Sequence, residues 1–374
     1  MTSIPSRRHT PTFGRRIAQG LILASVYVTS WLAPADARRE VLTENDKARL
    51  RQIDRINLDV LALTETGPAD HAGIASAVAA RLKSVGYQVG QDPTQAQDAV
   101  LKVKCEEHKT WEGTARSGGD ADAPGASSRL WRGPACQFSY RLEGLRSDWR
   151  YEVRAALLEN PKAGGNAPAA DSGAAALALL ADRLTTDAFP FLLAAEWGQS
   201  ARLLAVLDKP ETDAAARAKI IGLLGGMFAT DAMPALATSL QDQDIDVAKA
   251  AAVAIGTIGH EDGIPLLLDV FKNGRPELHQ AAAQGLGRLA ALHPQADIVP
   301  TLLDRLPSAP VPVQTEIVRA LATTSDRRSF DPLQKLNRDI QAHHATDRSP
   351  EMQALKRALG TALDQVGNTH GADE

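Results

Sequence analysis

The chain has 374 residues, of which 44% are hydrophobic, 4% aromatic and 23% charged, with two cysteines and a formal net charge of −4. The apolar fraction is ordinary for a folded protein and excludes both global disorder and a bundle of membrane spans. The length suits two or three compact units rather than one core, and the acidic balance provides no basic field for nucleic acid.

The N-terminus carries two arginine pairs, Arg7-Arg8 and Arg15-Arg16, with no acid before Asp36. An apolar run follows from Ile17 to Leu32; Pro34 breaks it, and Ala35-Asp36-Ala37 offers small residues where a signal peptidase reads. Basic, then apolar, then small is the order of a secretory signal over residues 1–37, with cleavage expected after Ala37 and a periplasmic or secreted product. The leader holds four arginines and one aspartate, so its removal takes the net charge from −4 to −7. The run falls short of the roughly 20 apolar residues of a stable span. Contact with a membrane is expected only if the segment stays uncleaved as an anchor. In an oxidising compartment Cys105 and Cys136 are expected to form a disulfide, stabilising by about 3–4 kcal/mol in the chain-entropy treatment.

Residues 38–56 are charged and read as an exposed lead-in. Residues 57–66 read as a strand carrying Val60, Leu61 and Leu63, ended by Gly67-Pro68. Over 70–85, Ile74, Val78, Leu82 and Val85 recur at helical spacing, with Asp70 as N-cap and Gly86 as stop. A turn at Asp92-Pro93 precedes an alternating strand from Ala99 to Cys105. A Gly-, Ser- and Asp-rich loop fills 113–128, and two more strands are expected at 135–143 and 148–158. This order predicts a small α/β sandwich-type domain over 38–160. Composition makes 161–173 a linker, 174–366 purely helical, and 367–374 a disordered tail.

Within the helical part the sequence repeats. Val247 to Gly259 matches Leu278 to Ala290 in kind at an offset of 31. Shifts of 35 and then 38 reach Val313 to Ala322 and Glu351 to Leu363, and 31 residues back from Val247 lies Ala216 to Phe228. A second helix precedes each copy, with Pro234, Pro265, Pro300 or Pro332 in the first turn of the later four, where proline loses no hydrogen bond. Val247, Ala250, Ala251, Ala254, Ile255 and Ile258 form an apolar stripe that one pair cannot bury. About five pairs must therefore stack, and the fold class is α+β.

This repeat resembles HEAT repeats, specifically the short bacterial type related to phycobilisome lyase repeats. Val247, Lys249, Ala250, Ala251, Ala254, Ile255, Gly256, Ile258 and Gly259, followed by Asp262 and Pro265, reproduce that family's pattern. The resemblance covers about residues 200–365; the last two copies depart, with Ala322 in place of glycine and an insert at 343–350. It implies an α-solenoid and a protein-binding scaffold. The lyase-related branch, which includes chromophore-attachment enzymes, implies the competing reading of a lyase-like or chaperone-like handler of a prosthetic group.

No GxSxG, HExxH, P-loop or strand-GxGxxG-helix motif occurs. Asp120 and Asp122 do not make a calcium loop, and His343-His344 reads as a solvated turn. The reading is an exported, non-catalytic protein with no cofactor, metal or evident small-molecule substrate, whose partner is an envelope protein or peptide. The rival readings are the prosthetic-group handler and an anchored structural component of the envelope. The expected partner-binding residues are Arg217, Lys249, Gln280, Gln284, Gln314 and Arg319 on the second helices. Trp111, Trp131 and Trp149 form either disulfide-side packing or a binding face.

Overall fold

A computed structural model describes residues 42–90, 97–113, 129–145, 147–155 and 172–370. The leader at 1–37, the turn at Asp92-Pro93, residues 114–128 of the expected loop and most of the expected linker lie outside the described residues.

The expected lead-in contains a helix, α1 (Glu44–Arg51), closed by a capping box in which Thr43 and Asp46 satisfy each other's backbone amides. Leu50 and Ile53 are buried, so this segment is anchored to the core rather than exposed. Strand β1 (Arg55–Thr64) follows, and a tight turn at Gly67, with φ of +122°, returns the chain as β2 (Gly67–Pro68). Ile56, Leu58 and Ala62 are the buried apolar residues of β1, whereas Leu61 lies 44% exposed. Helix α2 (Ala72–Ser84) buries Ile74, Val78 and Leu82. Its N-cap position is His71, while Asp70 accepts from the Ala72 amide. Strands β3 (Gln88–Gly90) and β4 (Ala99–Gly113) both run parallel to β1, and β5 (Arg129–Arg141) and β6 (Tyr151–Arg154) close the sheet antiparallel.

Helix α3 (Ser172–Thr186) starts within the last residues of the expected linker and packs against α2, β4, β5 and β6. It covers the sheet face that carries Leu101, Val103, Cys105, Cys136 and Phe138, all essentially inaccessible. The sheet and its helices therefore make two layers. Cys105 and Cys136 are register partners on neighbouring strands and form the disulfide.

Helix α4 (Phe189–Glu196) stacks Phe189 on Phe138, with ring centres 4.7 Å apart. Five helix pairs come next. The first helices are α5 (Ser200–Leu207), α7 (Met233–Ser239), α9 (Gly263–Asn273), α11 (Val299–Arg305) and α13 (Phe330–His343). The second helices are α6 (Ala214–Gly226), α8 (Ile245–Ile258), α10 (His279–Leu292), α12 (Val311–Thr324) and α14 (Pro350–His370). The last of these runs on past the expected end of the helical part at 366.

Consecutive second helices lie side by side, α6 on α8, α8 on α10, α10 on α12 and α12 on α14, and each first helix covers one flank of its partner. Small residues set the approach. A Cβ built on Gly256 would lie 2.3 Å from the Gly285 Cα, and one on Gly225 would lie 2.9 Å from the Ala254 Cα. With neighbours on both sides, a second helix buries more than the expected stripe: Ala248 and Ala252 are as inaccessible as Val247 and Ile255.

One buried node joins the sheet to the repeats. The Gln199 side-chain amide donates to the Leu50 and Ile53 carbonyls at 3.1 and 2.8 Å. Its carbonyl accepts from the Tyr87 hydroxyl at 2.7 Å and from Arg202 Nε at 2.9 Å. Arg202 lies over the Tyr87 ring and pairs with Asp54 at 3.0 Å.

Candidate interaction surface

Burial on three sides leaves each of α6, α8, α10 and α12 one narrow strip open to solvent, half-buried along most of α8. On α6 the strip is Ala215, Lys219, Gly222 and Gly226; on α8 it is Asp246, Lys249, Val253 and Thr257. On α10 it is Gln280, Gln284 and Arg288, and on α12 it is Glu316, Arg319 and Thr323. These positions recur at three- and four-residue steps, as one side of a helix must. Since the helices pack flank to flank, the strips join into one polar face on the side opposite the first helices. Hydrogen bonds knit it laterally: Arg288 donates to the Thr257 hydroxyl, and Thr323 donates to the Gly287 carbonyl at 3.1 Å.

Of the six expected solenoid contacts, Lys249, Gln280, Gln284 and Arg319 lie on this face. Arg319 is 56% exposed and bonded to Glu316, whose carboxylate is only 12% exposed. The other two are tied into the fold. Arg217 grips Asp242 with two bonds of 3.1 Å and donates to the Thr212 carbonyl at 2.7 Å. Gln314 donates to the Leu306 carbonyl at 3.1 Å. Helical spacing alone gives no sign of these two attachments, because the acceptors sit in loops.

Trp149 is half-buried, with Tyr151 at 6.3 Å and Tyr140 at 5.9 Å between ring centres. Trp111 and Trp131 are register partners at the far end of β4 and β5, and their side chains lie outside the described residues. Behind Trp149, the Tyr140 hydroxyl donates to Glu196 at 3.1 Å. Burial pushes Tyr140 up to about 12 and raises the Glu196 carboxyl above its ordinary value.

His108 Nε2 lies 3.3 Å from Glu65 and 3.4 Å from Glu107, whose side chain is buried where a bulge interrupts the β4–β5 register. A cavity of about 540 Å³ opens beside them between the end of β1 and the starts of α2 and α3. His343 and His344 are exposed at the rim of a second cavity, of about 580 Å³, between the last two pairs. Among the described residues no three His, Cys, Asp or Glu side chains sit close enough to hold a metal ion. No described helix is long and apolar enough to cross a membrane.

The family described as HEAT repeats matches residues 200–287, from α5 into α10. The C-terminal half therefore carries a HEAT-like repeat region. Two solved structures are similar, both crystal structures of engineered proteins from the Northeast Structural Genomics Consortium. One is 20% identical with a TM-score of 0.37, covering 49% of this chain and 85% of its own. The other is 19% identical with a TM-score of 0.36, covering 52% and 55%. No curated protein matches the chain.

Proposed function

We propose that this chain, with its HEAT-like stack, is an exported, non-catalytic scaffold that holds an envelope protein or peptide on the open face of its second helices. One observation carries the reading: the strips of successive second helices merge into one polar face over backbones held in near contact by Gly225, Gly256 and Gly285. A face so rigid loses little conformational freedom when a partner docks, which favours binding. The lateral bonds from Arg288 and Thr323 fix it further. Export rests on the basic, apolar and small order of residues 1–37. The disulfide inside the sheet suits an oxidising compartment.

Photocrosslinking tests the surface. A benzophenone amino acid at Gln280 or Gln284, irradiated in cells of the native host, is expected to give adducts with one and the same envelope protein. The same group at Lys272, on the first-helix side, is expected to give none. Absence of adducts at both second-helix positions, or identical adducts from Lys272, overturns the proposal. Mass spectrometry of the protein from that host is expected to find Arg38 at the N-terminus; a chain retaining residues 1–37 contradicts release by cleavage.

A further inference from the structure

We infer that the partner segment on this face is an extended acidic peptide, a conclusion that rests on the scaffold reading and specifies its ligand chemistry. Each of four consecutive second helices puts one cation into the strip: Lys219 on α6, Arg288 on α10 and Arg319 on α12 are exposed, and Lys249 on α8 is half-buried. Arg357 on α14 follows Arg319 by the repeat offset and is exposed. Acids are nearly absent from the middle of the strips. Asp246 and Glu351 sit in first turns, and Asp364 lines a cleft with Arg338 on the α13 side. Glu316 lies in the strip but is largely covered, leaving its partner Arg319 in solvent. The cationic line thus stands out on a chain whose net charge is −4.

Its spacing suits an extended chain. Packed helices lie about 8–10 Å apart and rise about 1.5 Å per residue, so the cations follow one another at steps of about 10–15 Å. A strand advances about 3.3 Å per residue, so a carboxylate at every third to fifth residue meets each cation in turn. Between the cations lie Gly222, Val253, Gln284 and Thr323, small or uncharged residues that let a backbone approach. No aromatic side chain stands in these strips to stack a base, and a nucleic-acid strand carries phosphates far more densely than these cations. Both points favour a peptide over a nucleic acid.

The test uses the full chain and a fluorescein-labelled peptide of repeated Glu-Ser-Gly-Ser, followed by anisotropy. Binding is expected to weaken as salt rises and to fall at least about tenfold in the combined variant Lys249→Gln, Arg288→Gln, Arg319→Gln. The variant Lys272→Gln, Lys335→Gln, Arg338→Gln, altered on the first-helix side, is expected to bind as the parent does. Circular dichroism of both variants checks that the helices persist. Equal binding of a Lys-Ser-Gly-Ser peptide, equal loss in both variants, or tighter binding of a single-stranded oligonucleotide overturns the inference. Adducts from Gln284 that persist undiminished in the second-helix variant overturn it too, while leaving the scaffold reading intact.

Discussion

Between α9, α10 and α11, the ring of His279 is almost fully buried. Its Nε2 lies 3.1 Å from the Gly274 carbonyl and its Nδ1 3.0 Å from the Arg305 guanidinium. Burial lowers its pKa and the neighbouring Arg305 lowers it further, so the folded protein binds a proton on this ring less readily than the unfolded chain does. The unfolded chain takes up the proton as pH falls below about 6.5 while the folded chain resists, so stability is full above that pH and declines below it. The melting temperature is expected to drop between about pH 7.5 and 5.5, and His279→Gln to flatten that slope; equal slopes in both proteins would count against this role. Other residues show where sequence reading stops. Phe228 occupies, by the repeat offset, the place of Gly259; both have positive φ, 54° and 76°, and Phe228 is 64% exposed. A left-handed backbone at phenylalanine has no signature in residue type, since the conformation disfavours any side chain. Arg217 and Gln314 look like surface residues on a helical wheel, yet their bonds run to Asp242 and to the carbonyl of Leu306.

The second helices were the most legible elements, because the glycines and alanines that let backbones meet recur with the repeat. Gly256 and Gly285 face each other across α8 and α10, where a Cβ on Gly256 would intrude to 2.3 Å. Gly222 sits on the open strip, with nothing within 4 Å of a Cβ built there. The two positions are expected to respond in opposite ways to added bulk. Gly256→Leu forces α8 from α10 and is expected to cost about 3 kcal/mol or more. Gly222→Ala lowers the entropy of the unfolded chain without a clash and is expected to stabilise by about 0.5–1 kcal/mol. Urea unfolding of both variants measures the contrast; a mild effect at Gly256 would mean the helices are not in contact there. Helix α1 was illegible for the opposite reason: within it only Leu50 is buried, in a charged run, and one such residue sets no period. The strands were partly legible. The alternation from Ala99 to Cys105 marks β4, but β5 begins at Arg129, six residues before its expected start.

At the scale of the whole molecule, the sheet and the repeats share one continuous apolar core, and Gln199 is its polar pin. No local pattern marks this residue, since Tyr87, Leu50 and Ile53, which it joins to the repeats, lie more than 100 positions away in sequence. Gln199→Ala strands buried carbonyls and the Tyr87 hydroxyl, and is expected to cost about 2–3 kcal/mol in urea unfolding followed by tryptophan fluorescence. Unchanged stability would mean that the node does not join the two parts. Such a join gives the row of second helices a fixed base, so on the proposed reading its polar face needs no reordering to receive a partner. Maleimide labelling of single cysteines at Gln284 and at Lys272, in cells of the native host and on the purified protein, tests directly whether that face is occupied at work. Labelling at position 284 is expected to be much slower in cells than after purification while that at 272 is unchanged; equal rates at 284 in both settings would contradict the account.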